Sequence, residues 1–381
     1  MNFNQSRPGH VPVLIVGGGL AGLITSIRLV RWGIECVLIE KKSYPFHRVC
    51  GEYVSNETTP FLKKENLFPE SFNPPQLNQF QLTSVSGKSK KINLDLGGFG
   101  ISRFSYDHFL YQMAIQEDVN VITNHEVEQA EFNEEEDIFN VTSTDQRFTS
   151  TLVIGSFGKR SKLDKSLNRN FMDKRSPYVG VKYHIHTQHP DNLIALHNFS
   201  GGYCGVSNIE FGKTNLCYLV HRNQVKRFKN IAELEETILH QNPWLKSLFT
   251  NSKFLFDKPE VINEISFETK EPVWKHILMA GDAAGMIAPL CGNGMAMAIH
   301  SAKILSDSIL QCKQENQSRF WLENTYRNKW NSMFAQRLRA GRLIQNNLFG
   351  SEWSSRIAIQ LAINSESLTQ LIIRKTHGEA F

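Results

Sequence analysis

The stretch Val11-Pro12-Val13-Leu14-Ile15-Val16-Gly17-Gly18-Gly19-Leu20-Ala21-Gly22 decides the fold. An apolar run of strand length ends in glycines, and from Leu23 to Leu29 the residues take up helical spacing, so the segment predicts a strand, a tight turn and a helix. Its glycines have separate tasks. Gly17 permits the turn, Gly19 lets the backbone approach a pyrophosphate, and Gly22 lets the helix pack close to the strand. Leu20 and Ala21 fall in the first helical turn, where free N–H groups can meet phosphates.

A second apolar run, Cys36 to Ile39, ends in Glu40, which lies 18 residues after Gly22. A carboxylate at the end of the second strand can accept from adenosine ribose hydroxyls, and its charge disfavours a 2′-phosphate, so FAD or NAD fits better than NADP. Further on, Gly281-Asp282-Ala283-Ala284-Gly285 follows the apolar run Ile277 to Ala280. The two glycine signatures together predict bound FAD.

The chain has 381 residues, enough for two domains, with 41% hydrophobic and 21% charged residues. A formal charge of +5 over this length, with no nucleic-acid motif, argues against a nucleic-acid partner. Val11 to Ile27 resembles a signal-peptide core in hydropathy, but four glycines break it and Arg28 and Arg31 continue its helical pattern. No apolar run is long enough to span a bilayer. The six cysteines, Cys36, Cys50, Cys204, Cys217, Cys291 and Cys312, form no C-x-x-C pair and no metal-spaced cluster, so a reduced, cytoplasmic protein without a metal is expected. Cys36 and Cys217 sit in apolar runs and read as core.

After a loop over 41–57, Pro74-Pro75 opens a partly alternating stretch, Phe80 to Leu96, with a charged turn at Lys88 to Lys91. Helical spacing from Tyr106 to Ala114 and short buried strands at Val119 to Thr123 and Leu152 to Ile154 return to the first domain. Val179 to Ile185, Leu193 to Asn198 and Leu216 to Val220 read as strands, Ile231 to Leu239 and Trp244 to Phe249 as helices, and Glu264 to Glu268 as a last strand before His276 to Ala280 rejoins the nucleotide domain. A helix runs from Gly294 to about Leu310. The C-terminal part is helix-rich, with Arg337, Arg339 and Arg342 beside Phe334, Leu338 and Leu343. Two readings stand for this segment: a membrane-surface helix giving peripheral membrane association, or an apolar face packed on the body.

Gly17-x-Gly19-x-x-Gly22 with Glu40, Arg103 followed by Asp107, Gly281-Asp282 and Pro289-x-x-Gly292-x-Gly294 resemble the flavoprotein monooxygenase superfamily of the p-hydroxybenzoate hydroxylase fold. Within it, Val49-Cys50-Gly51-Glu52, Gly202-Tyr203-Cys204-Gly205 and Gly281 to Gly285 are most similar to the geranylgeranyl reductase family, and the resemblance covers roughly residues 10 to 312. It implies an α/β protein: a Rossmann-like FAD-binding domain of glutathione-reductase type, an inserted, mainly antiparallel β-sheet substrate domain, and C-terminal helices. The expected division is 10–58, 101–165 and 270–312 for the FAD-binding domain, 59–100 and 166–269 for the substrate sheet, and 313–381 for the helical region.

By the same resemblance, Asp282 hydrogen-bonds the ribityl chain, and Arg48 and Arg103 lie along the cofactor. The segment Pro289 to Met295, with Gly292 and Gly294, turns backbone N–H groups at a helix start toward the flavin pyrimidine edge, where charge gathers on reduction. Phe157 stands where hydroxylases of the superfamily carry the Asp of an Asp-Gly pair associated with FAD and nicotinamide binding. That departure weighs against direct use of NADPH and leaves NAD(P)H or an external electron donor as alternatives.

The expected function is FAD-dependent oxidoreduction of a small apolar organic substrate, isoprenoid or polyketide-like, by hydride transfer to a double bond. Cys50 is the candidate catalytic residue. The alternative is a flavin-dependent monooxygenase that hydroxylates its substrate, and a third reading is a non-catalytic flavin-binding protein at a membrane surface. Halogenation is disfavoured because none of the six tryptophans lies two residues from another, so a Trp-x-Trp-x-Ile-Pro element is absent.

Overall fold

A computed structural model of the chain describes residues 9–174, 176–265 and 267–349, and beyond them 360, 364, 365, 370, 373, 375 and 377–381. The deciding stretch folds as the strand His10–Val16, paired in parallel with Cys36–Glu40 on one side and Arg147–Gly155 on the other. Val13, Leu14 and Ile15 are wholly buried, as expected for a central parallel strand covered on both faces, which has no polar side to show. The sheet extends to Asn120–Thr123 at one edge and, past Ile277–Met279, to the antiparallel strand Val273–Trp274 at the other.

The helix Leu20–Arg31 packs against the helices Arg103–Gln116 and Gly294–Gln314. It stops at Gly33, whose φ of 64° lets the chain reverse while Ile34 N donates to Leu29 O at 2.9 Å. Val11 to Ile27, for all its signal-peptide-like hydropathy, is therefore the folded strand, turn and helix that its glycines and Arg28 and Arg31 predict.

The second sheet runs in the order Lys253–Phe254, Tyr178–His186, Lys213–His221, Gly202–Ile209, Leu193–Phe199, Gln76–Thr83, Ser89–Gly100 and Tyr53–Ser55, with Glu260–Ile265 also on Tyr178–His186. One face, including Val181, Tyr183, Val206 and Tyr218, is buried with Leu234 and Leu245 of the helices Ile231–Thr237 and Pro243–Asn251. The register arranges the opposite face in rows across four strands. Leu196, Gly205, Cys217 and Lys182 are successive partners, as are Asn198, Tyr203, Leu219 and Gly180, and Ile194, Ser207, Asn215 and His184.

Some sequence expectations shift. The turn expected at Lys88 to Lys91 lies at Ser84 to Lys88, where Gly87 has a φ of 85° and Ser84 N donates to Lys88 O, so Lys90 and Lys91 are strand residues. The strand expected at Glu264 to Glu268 is Glu260–Ile265, set by pairing Val261 with Val181 and Ile262 with Gly180. Cys217 is only half-buried, because its side of the sheet is the open one. Phe334 and Leu338 of the helix Arg319–Phe349 are buried against the body, whereas Leu343 is 64% exposed. Most of the region expected to be helical after residue 349 lies outside the described residues. Among the described residues no helix is long and apolar enough to cross a membrane.

Candidate active site

Gly17 has a φ of 101°, and a Cβ there would lie 2.6 Å from Ser156 O, so both the turn and the approach of Arg147–Gly155 require glycine. At Gly22 a Cβ would lie 2.1 Å from Gly17 O, which forces glycine by helix-on-strand packing. Gly19 differs. It is the N-cap of Leu20–Arg31, its side chain position is open except for Arg103 Nη2 at 3.4 Å, no side chain caps the helix, and its first turn has no acidic residue. The N–H groups of this helix start face a cavity lined by Gly19, Leu20 and Ala21.

Glu40 is buried beneath the turn. Its Oε2 accepts from Gly18 N at 2.8 Å and faces Arg48 Nη2 at 3.3 Å, and its Oε1 accepts from Lys42 N at 3.1 Å. Glu40 itself is absent from the wall of the main cavity, which Lys41 and Lys42 reach. Arg48 Nε also donates to Asp107 at 3.2 Å, and Asp107 receives Arg103 Nε and Nη2, both at 2.7 Å. Burial works against the Arg103 charge, but the Asp107 carboxylate more than offsets it and raises its pKa above the ordinary value. Arg48 and Arg103 are thus both held by Asp107 beside the cavity. Tyr44, which the sequence did not single out, donates from its hydroxyl to Gly18 O and stacks on Tyr111 at 4.4 Å.

Asp282 sits in the short turn Gly281–Ala283 after Ile277–Met279 and lines the cavity. Buried Lys270 holds this turn by donating to Asp282 O at 2.8 Å and Lys159 O at 2.7 Å, and burial lowers its pKa to about 8. Gly292, with a φ of 65°, turns the chain into the helix Gly294–Gln314, which also starts without a side-chain cap or an acidic first turn. Gly292, Gly294 and Met295 line the same cavity.

The loop carrying Cys50 crosses from the nucleotide side to the second sheet and is tied down by charge. Glu52, fully buried with a φ of 54°, accepts from Lys182 Nζ, from His184 Nε2 at 2.6 Å and from Arg103 N at 2.8 Å. Burial opposes its ionisation, yet Lys182 and His184 hold its pKa at about 2. Lys182 also donates to Arg48 O at 3.2 Å, and Asn215 Nδ2 donates to Cys50 O at 3.2 Å. Cys50 is half-buried, lines the cavity, and its sulfur accepts from Glu52 N at 3.5 Å. In the sequence this anchor shows as Glu52 of Val49-Cys50-Gly51-Glu52 and as a lysine and a histidine two apart in an apolar strand.

One cavity of about 730 Å³ joins these pieces, running from Gly19 and Arg103 past Cys50 to Phe80, Leu82 and Leu196 on the second sheet. Its residues fit FAD: two uncapped helix starts open on it, Gly19 leaves room for a phosphate, and Asp282 offers a carboxylate between them. Residues 10–197 match the family described as FAD binding domain. FAD is accordingly the cofactor, and the protein is a flavin-dependent enzyme.

Among curated relatives, conditioned medium factor receptor 1 of Dictyostelium discoideum is 20% identical, the match spanning 84% of this chain and 68% of that protein. Digeranylgeranylglycerophospholipid reductase of Methanosarcina acetivorans is 23% identical over 84% of this chain and 80% of its own, and tryptophan 2-halogenase of Chondromyces crocatus 22% identical over 79% and 61%. Among solved structures the fold matches PqsL, a probable FAD-dependent monooxygenase from Pseudomonas aeruginosa (TM-score 0.73, 15% identity, 92% of this chain and 99% of that one). It also matches a geranylgeranyl bacteriochlorophyll reductase-like protein from Thermoplasma acidophilum (TM-score 0.75, 15% identity, 98% and 96%). The flavin-dependent brominase Bmp2 is similar to the same degree (TM-score 0.75, 17% identity, 96% and 93%).

Proposed function

We propose that this enzyme reduces a carbon–carbon double bond of an apolar organic substrate, isoprenoid or polyketide-like, with hydride supplied by its reduced FAD. The observation that carries this reading is the continuity of the cavity from the two helix starts to an apolar sheet face, with a thiol at the junction. FAD when bound supplies reversible hydride chemistry. The chain supplies the rest. Backbone N–H groups at Gly19, Leu20 and Ala21 bind the pyrophosphate, with Gly17 and Gly22 shaping the turn. Glu40 acts at the ribose end, Asp282 accepts from ribityl hydroxyls, and Gly281 gives the turn its φ of 59°. Arg48 and Arg103 hold the cofactor's length, and the helix start at Gly292, Gly294 and Met295 favours negative charge on the pyrimidine edge. Phe80, Leu82, Leu196 and Leu219 keep water from the substrate. Cys50 gives the proton that must accompany the hydride.

The division into an FAD-binding domain (10–58, 101–165, 270–312), a substrate sheet (59–100, 166–269) and a helical remainder belongs to this proposal. So does peripheral membrane contact through the exposed Leu343 beside Arg339 and Arg342. Hydroxylation is the second reading, favoured by the likeness to PqsL; the missing Trp-x-Trp-x-Ile-Pro element weighs against halogenation. The reductant is NAD(P)H or an external donor.

The test is to photoreduce the holoenzyme without oxygen, mix it with polyene lipid extracts, and analyse products by mass spectrometry. Gain of two hydrogens under anaerobic conditions supports reduction. Gain of one oxygen atom, only after oxygen is admitted, moves the assignment to hydroxylation. Cys50→Ser should slow anaerobic flavin reoxidation by substrate while FAD stays bound, and equal rates in variant and wild type would remove Cys50 from the chemistry.

A further inference from the structure

We propose that residues 377–381 form a strap across the flavin end of the cavity, that buried Glu57 fastens it, and that release of the strap admits small solutes to the reduced flavin. This rests on the proposed placement of the flavin at the helix start Gly292 to Met295.

Glu57 sits in the short turn Asn56–Thr58 and has no exposed surface. Its three oxygens hold different parts of the molecule. Oε1 accepts from Asn293 Nδ2 at 3.0 Å, and Asn293 is the N-cap residue of Gly294–Gln314. Oε2 accepts from Gly378 N and faces Arg337 Nη1 at 3.7 Å, and the backbone O accepts from Phe381 N at 3.1 Å. A carboxylate removed from water must be met by donors or cations, and the strap supplies one of them. Gly378 suits this contact, because a Cβ there would collide with Glu57 Oε2 and Arg337 Nη2.

Phe381 adds an apolar hold. Its ring stacks on His300 with centroids 3.7 Å apart and lies 5.8 Å from Phe61. At the other end of the strap, His377 lines the cavity together with Ile373 and Ile344, and its ring stands edge-on to Tyr53 at 6.3 Å. Tyr53 marks which end of the cavity this is, since its ring lies 3.5 Å from the Cβ position of Gly292. Glu379 and Ala380, between the two anchors, are exposed. A segment held by two backbone hydrogen bonds and one ring can open without unfolding the domain, and opening here removes part of the wall over the flavin.

The variants are Phe381→Ala, which deletes the ring, and Gly378→Val, which crowds Glu57; neither changes the charge. Hydrogen exchange of residues 377–381 in the holoenzyme reports docking. Photoreduced holoenzyme is then mixed anaerobically with ferricyanide, an outer-sphere oxidant whose rate depends on how closely it approaches the flavin. We expect the strap to be protected in wild type and unprotected in both variants. Reoxidation should become about tenfold faster in either variant that retains FAD, because a lost aromatic contact shifts an opening equilibrium by roughly that factor. A released strap with reoxidation as slow as in wild type overturns the role of the strap and leaves the flavin placement standing. Exchange in wild type as fast as in an unstructured peptide overturns the docking itself. Wild-type reoxidation as fast as that of free reduced FAD overturns this inference together with the placement of the flavin.

Discussion

Gly17, Gly19 and Gly22 look alike in the sequence and answer to different constraints. Gly19 has an ordinary φ of −85° and an open Cβ direction, so a side chain there costs the empty fold little and fills the space a phosphate needs. Gly19→Val should therefore give a protein that melts near wild type but loses most of its FAD, read as the flavin-to-protein ratio after gel filtration. Gly22→Val, with its Cβ 2.1 Å from Gly17 O, should instead damage the fold itself. Asp282 completes no helix cap in its turn, so Asp282→Ala should weaken FAD binding by about 1–3 kcal/mol and leave the apoprotein melting temperature unchanged. Fluorescence titration beside a melting curve of the apoprotein separates the two effects. Wild-type affinity with a collapsed melting temperature would make Asp282 structural.

At the scale of elements, the face of the second sheet turned away from the cavity is closed by the helix Ile231–Thr237. Glu235 of that helix accepts from Tyr183 OH at 3.0 Å and Tyr218 OH at 2.8 Å. Burial raises its pKa to about 7, the two tyrosines only partly opposing. A carboxyl whose folded pKa lies above its unfolded value stabilises fully below the unfolded value and loses that contribution as pH rises through the folded one. Glu235→Gln, neutral at every pH, should therefore gain stability over wild type at pH 8 and lose that advantage by about pH 5. The gain is on the order of 3 kcal/mol at most, checked by urea unfolding at both pH values.

The parallel strands and the long helices were legible because each is a continuous apolar run or a 3.6-residue pattern. Tyr53–Ser55, Val127–Asn133, Ile138–Ser143 and Gly202–Ile209 were not singled out. The first is three residues long, the next two form a hairpin with one solvated side, and the last carries Gly202 and Gly205, which weaken the strand signal. Gly202 is in fact demanded by the strand, since its Cβ would lie 2.2 Å from Leu219 O. The glycine turn and Glu40 could be named from spacing, and Arg103 and Asp282 from the family resemblance. Lys182 and His184 could not, because only the register of the sheet brings them to the cavity side.

At the scale of the whole molecule, the nucleotide side and the second sheet are joined through Glu52, which receives Arg103 N from one and Lys182 and His184 from the other. Its folded pKa of about 2 lies below the ordinary carboxylate value of 4.5, so its contribution is present above the unfolded value and is lost as pH falls through the folded one. The linkage amounts to about 3 kcal/mol at neutral pH. Glu52→Gln removes the charge but keeps the shape, leaving Lys182 buried without its counter-ion, a loss that is severe for a group of zero exposure. Urea unfolding of wild type and variant should give a constant gap from pH 7 to pH 5. Below about pH 4.5 the gap should narrow, because wild-type Glu52 in the unfolded chain takes up the proton that the folded chain still refuses. A gap that stays constant down to pH 3 would mean that the carboxylate charge does not hold the two sheets together and that Glu52 acts only by filling its place.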